Sequence, residues 1–166
     1  MGTGFLTYKL LNHPADQQLE TVITTNKKAF RMLDDGTKIW LNKNSTFSYN
    51  KAFGKDKREI TLTGEAYFDV ARNTAIPLFI HAGDIDIEVK GTAFNVNAYK
   101  DSRIIQVALV RGLIQITDRS DLKRKVLLHP SEKLTLTTSK NNEQHNCSHP
   151  SFVLLRIINT HDISIQ

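Results

Sequence analysis

One cysteine, Cys147, stands among 166 residues. A lone thiol closes no disulfide within the chain, so stability has to come from packing, and the redox compartment stays open. Long apolar runs are missing too. The best candidate, residues 152–158, is far shorter than the roughly 20 apolar residues of a membrane helix and contains Arg156. No basic segment precedes an apolar run at the start, so no signal peptide is read there. Charge of one sign is not concentrated. Lys and Arg number 22 against 17 Asp and Glu, a formal +5, and the densest basic group is only Lys123-Arg124-Lys125. A nucleic-acid binder gathers its cations on one face or stripe, so no nucleic-acid partner is expected.

Catalytic signatures are equally scarce. There is no G-x-S-x-G, no H-E-x-x-H and no glycine-rich phosphate loop ahead of a helix. The one metal-like cluster runs from His145 through Cys147 to His149, in polar text without a second ligand pair. A zinc site needs three or four ligands together. His81 follows an apolar strand but lacks the His-x-His partner of a metal-binding β-helix, and is read as a rim residue. The expectation is no enzyme, no catalytic residues, no metal and no cofactor.

What the chain does have is alternation. Apolar and polar residues exchange with period two over residues 38–42, 58–63, 65–70, 78–81, 84–90, 92–99, 103–110, 113–117, 125–128 and 133–138. That period puts successive side chains on opposite faces of a strand. Turn residues separate the runs, Asp34-Asp35-Gly36 reading as a hairpin turn. Helix is conceivable only over residues 8–20, where Pro14 limits it. The class is therefore all-β, as a sandwich, jelly roll or barrel. Shared parity names the core as Ile60, Leu62, Phe68, Val70, Ile85, Ile87, Val89, Phe94, Val96, Val107, Leu109, Ile114 and Ile116.

Asp84, Asp86 and Glu88 form an acidic ladder on one face of the run 84–90. Calcium wants about six to eight oxygens gathered by a curved loop, whereas a straight strand spreads its carboxylates over more than about 10 Å. The ladder reads as a solvated face. Trp40, Tyr67 and Tyr99 fall on the polar faces of their strands. They either pack under a loop or contact a partner, and they are the candidate partner-binding residues.

Ordered phrases across the chain resemble the FecR family of cell-surface signalling regulators. Residues 33–42 read L-D-D-G-T-K-I-W-L-N, like the family's L-P-D-G-T-x-V-x-L-N. Residues 58–70 read R-E-I-T-L-T-G-E-A-Y-F-D-V, like R-x-V-x-L-x-G-E-A-Y-F-x-V. Residues 89–99 read V-K-G-T-A-F-N-V-N-A-Y, like V-x-G-T-x-F-N-V-x-A-Y, and weaker echoes follow at 107–113 and 128–134. The wording is closest to members from Bacteroidetes. Asp34 replaces the usual Pro and Ser131 a Gly, both in turns, and the likeness fades after Lys140. On this basis residues 1–19 are an N-terminal flank, 20–138 a FecR-type β domain, and 139–166 a linker with a fragment of a further C-terminal module.

The resemblance implies a β-sandwich of jelly-roll type without enzymatic activity. It implies the periplasmic sensing part of an anti-sigma factor, a single-pass protein on the periplasmic face of the inner membrane. Its partners would be a TonB-dependent outer-membrane transducer and, through a cytoplasmic segment absent from this chain, an extracytoplasmic-function sigma factor. The alternative is a carbohydrate-binding β-sandwich module, since a fold does not fix a function. Gly91 is expected to bend the chain so that the next strand changes sheets.

Overall fold

The computed structural model describes residues 19–51 and 53–137, and by backbone alone the strand pieces 153–154 and 158–159. The described residues form strands and turns throughout. In chain order they are β1 (Leu19–Ile23), β2 (Ala29–Met32), β3 (Lys38–Leu41), β4 (Thr46–Asn50) and β5 (Arg58–Asp69). β6 (Leu78–Ala82), β7 (Ile85–Val89), β8 (Ala93–Ala98), β9 (Ile104–Arg111) and β10 (Ile114–Asp118) follow. The last are β11 (Lys125–Leu128), β12 (Glu132–Thr137), β13 (Val153–Leu154) and β14 (Ile158–Asn159). Among them no helix is long and apolar enough to cross a membrane. The region read as a helical turn ends in β1, and residues 8–18 lie outside the described residues, as do His145, Cys147 and His149.

Two layers enclose one core. Sheet A runs β1-β4-β5-β6-β7-β10-β11, antiparallel except for the parallel β5–β6 pair. Sheet B runs β2-β3-β5-β8-β9-β12, and β12 also pairs with β13 and β14. β5 belongs to both, and β11 and β12 approach each other on the far side, so the sandwich is nearly closed into a barrel. Every residue named as core from its parity is buried, and Phe68 stacks on Phe94 with centroids 5.3 Å apart. Each such aliphatic side chain contributes about 1.5–3 kcal/mol when fully buried.

The sequence pattern reads β5 as two runs broken at Gly64. It is one strand of 12 residues that passes from sheet A to sheet B at that glycine. Gly64 has φ 103°, and a Cβ there would lie 2.3 Å from Ser45 Oγ. Ser45 Oγ instead accepts the Glu65 N–H at 2.9 Å, and the Ser45 N–H donates to Thr24 Oγ1 at 2.9 Å. The neighbouring strands break at the same level, between β1 and β2 and between β3 and β4, so three chain segments turn the corner together. Gly91 is the second crossing. With φ 151° and its Cβ position filled by Arg72, it carries the chain from β7 in sheet A to β8 in sheet B, as expected.

β1, β2 and β4, with the two-residue β13 and β14, are the strands that patterning did not reveal. β2 keeps three of its four residues exposed, and β1 buries none fully. Among the described residues each pairs with one neighbour only and fully buries none of its side chains, so no buried inner face imposes a clean alternation. β4 alternates around a single buried apolar residue, Phe47.

Candidate docking surface

The outer face of sheet B carries a cross-strand row. Phe30 in β2 stands opposite Trp40 in β3, Trp40 opposite Tyr67 in β5, and Tyr67 opposite Asn95 in β8. The rings touch in sequence, with centroids 5.1 Å apart for Phe30–Trp40 and 5.5 Å for Trp40–Tyr67. Their planes are tilted by 49° and 57°. Phe30 is 51% exposed, Trp40 42% and the adjacent Met32 63%. Large apolar side chains scattered singly are ordinary, but a contiguous row rimmed by polar groups marks an interaction surface. A shallow groove of about 330 Å³ follows this row.

Two of the three residues proposed from sequence, Trp40 and Tyr67, are thus brought together. Tyr99 is not in the row. It lies just past β8, and its hydroxyl donates to the Lys43 carbonyl at 2.9 Å. Phe30 and Met32 were missed because β2 itself was missed. The signal was present in A-F-R-M, where Phe30 and Met32 share parity, but four residues are too few to separate strand from loop.

Beside the rings sits a polar trio. Asn42 Nδ2 donates to Glu65 Oε2 at 2.7 Å, and Asn95 Nδ2 donates to Glu65 Oε1 at 3.0 Å. Asn95 therefore braces a neighbouring strand, with the turn after β3 tied in through Asn42. A second brace is buried. The Arg58 side chain is wholly inaccessible, and its Nη1 donates to Asp35 Oδ2 at 3.0 Å. It also donates to the carbonyls of Ile76, Ala71 and Asn73. Asp35 in turn accepts the Thr37 N–H and hydroxyl at 2.8 and 2.9 Å. Ser131, at the position of the family's glycine, holds φ 70° in the turn before β12.

The acidic ladder is on the opposite sheet. Asp86 Oδ1 lies 2.7 Å from His81 Nδ1 and 3.6 Å from Arg119 Nε, and Glu88 accepts from Gln115 Nε2 at 3.2 Å. The Asp86 and Glu88 carboxylates are thus engaged by neighbours along the sheet, while Asp84 lies in the turn before β7. Among the described residues no three His, Cys, Asp or Glu side chains gather in reach of one ion.

Residues 20–124 match the model of the family described as FecR protein. Two crystal structures of a "putative anti-sigma factor" from Parabacteroides distasonis ATCC 8503 superpose with TM-scores of 0.68 and 0.67, each at 25% identity. The likeness covers 76% and 75% of this chain but only 58% and 57% of theirs, so the chain spans less than three-fifths of those structures. A search of curated proteins found no match.

Proposed function

The chain belongs to the FecR family, and from that premise we propose that it is the periplasmic sensing domain of an anti-sigma factor. In this reading residues 20–138 are the working unit, a regulatory module without catalytic activity. A TonB-dependent outer-membrane transducer, loaded with its substrate, docks on it. The contact is relayed to an extracytoplasmic-function sigma factor held by a cytoplasmic segment of the whole protein.

One observation carries the proposal furthest. The polar residues of the family-like phrases, Asp35, Asn42, Arg58, Glu65 and Asn95, are engaged in bracing strands. They brace the scaffold, and on its outer face lies the row Phe30–Trp40–Tyr67, with Phe30 and Trp40 exposed and Tyr67 half-buried. Aromatic side chains are enriched at the centres of protein interfaces and carry much of their binding energy. The tilt between successive rings argues against a flat stacking platform for a sugar.

Calorimetric titration of the 166-residue chain with the transducer's periplasmic signalling domain tests the reading. Saturable binding is expected, weakened at least tenfold by Trp40→Ala and by Phe30→Ala, with thermal unfolding little changed. No binding, or binding indifferent to both substitutions, would contradict it. Saturable quenching of Trp40 fluorescence by oligosaccharides would favour the carbohydrate-binding alternative.

A further inference from the structure

A cavity of about 540 Å³ lies at the end of sheet B next to the aromatic row. It is lined by Gly36, Val70, Ala71, Gly91 and Gly112, together with Lys38, Arg72 and Arg111 against one acid, Asp69. Register places Lys38, Asp69 and Arg111 of this lining on the docking face, and Arg72 follows β5 beside them. Lys38 and Asp69 stand opposite each other one side-chain repeat beyond Trp40 and Tyr67. Arg111 reaches that face because β9 is irregular. Ala93 pairs with Arg111 and Phe94 with Leu109, so Val110 is an extra residue. Such bulges re-aim the side chain that follows them. Arg111 Nη2 then donates to Asp69 Oδ1 at 2.8 Å, while the side chains of Lys38 and Arg72 have no hydrogen-bond or ion-pair partner among the described residues.

We propose that this basic pocket seats the carboxylates of an acidic segment of the protein that docks on the aromatic row. The inference rests on the reading of the outer face of sheet B as the docking face. It adds the chemistry of the partner, a stretch carrying apolar side chains next to Asp or Glu. Arg and Lys side chains recognise carboxylates by charge-assisted hydrogen bonds, Arg with a two-pronged fork. The pocket is too wide and its cations too exposed to be a cage for one small anion, whereas a peptide running off the aromatic row would enter it directly. The chain's net charge of +5 favours encounter with an acidic partner.

The test uses the 166-residue chain and a blocked, fluorescein-labelled peptide, Glu-Phe-Asp-Leu-Glu-Asp, with its Gln/Asn counterpart. Anisotropy is read at about 30 mM and about 300 mM salt, which shortens the screening length severalfold. The acidic peptide is expected to bind about tenfold or more tightly than the amide peptide at low salt, with the advantage shrinking at high salt. The double variant Lys38→Glu/Arg72→Glu should abolish that advantage. Lys123→Glu/Lys125→Glu makes the same change in net charge outside the pocket and should preserve most of it. Equal binding of both peptides, no binding of either, or equal losses in the two double variants would overturn the proposal. Displacement of the acidic peptide by low-millimolar inorganic phosphate, with Phe30→Ala and Trp40→Ala having no effect, would also overturn it in favour of a small-anion site. Loss of binding in Trp40→Ala but not in Lys38→Glu/Arg72→Glu would remove the pocket and leave the docking face standing. Loss in the charge variant alone, without displacement by phosphate, would keep the pocket and remove the aromatic row.

Discussion

Arg58 shows how much a single residue does here. Its guanidinium is buried against Asp35 and three backbone carbonyls from the chain after β5. Truncating one member of a buried pair leaves the other uncompensated, so Arg58→Ala should destabilise by about 3–5 kcal/mol in urea titration. Arg58→Lys should fall between, since an ammonium keeps the charge but not the fork. A loss below about 1 kcal/mol for Arg58→Ala would mean that the brace is dispensable. The sequence shows an arginine opening a strand, but nothing in its spacing says that the side chain is buried. That follows only from the fold, which brings residues 35, 58 and 71–76 together.

Tyr49 supplies a prediction in pH. Burial and a hydrogen bond to Glu20 raise its pKa from 10.0 to about 12. The fold thus favours the neutral phenol. The resulting stabilisation is complete below about pH 10 and is lost as pH rises towards 12. Absorbance titration should find one tyrosine ionising near pH 12, and Tyr49→Phe should flatten the alkaline fall in stability between those limits. An alkaline absorbance titration that is the same with and without Tyr49→Phe near pH 12 would contradict this.

At the level of elements, β5 decides the architecture. Its change of sheet at Gly64 allows one strand to serve two layers, and the β1/β2 and β3/β4 arms bend beside it. Gly64→Ala adds backbone strain to a clash with Ser45, together about 2–5 kcal/mol of destabilisation. A loss under about 1 kcal/mol in chemical denaturation would mean that the corner relaxes easily. Strands buried on their inner face, β5 to β10, were legible because alternation is imposed by the core. The outer strands β1 and β2 were not, because neither buries a side chain fully in it. The candidate site suffered for the same reason. Trp40 and Tyr67 were visible as aromatics on polar faces, whereas Phe30 needed the pairing of β2 with β3 to become part of a row.

For the whole molecule, the structure is a braced β-sandwich whose family-like polar residues hold strands together and whose exposed rings lie on one sheet. A braced scaffold that presents a row of touching aromatic rings is what the proposed docking role requires. The most direct measurement is amide hydrogen exchange of the chain alone and with the transducer's signalling domain bound. The account predicts new protection in β2 and β3, strongest across residues 29–32 and 38–41, with the outer strands β1 and β11 of sheet A unchanged. Protection confined to β1 or β11, with β2 and β3 exchanging as in the free chain, would place the contact elsewhere and contradict it.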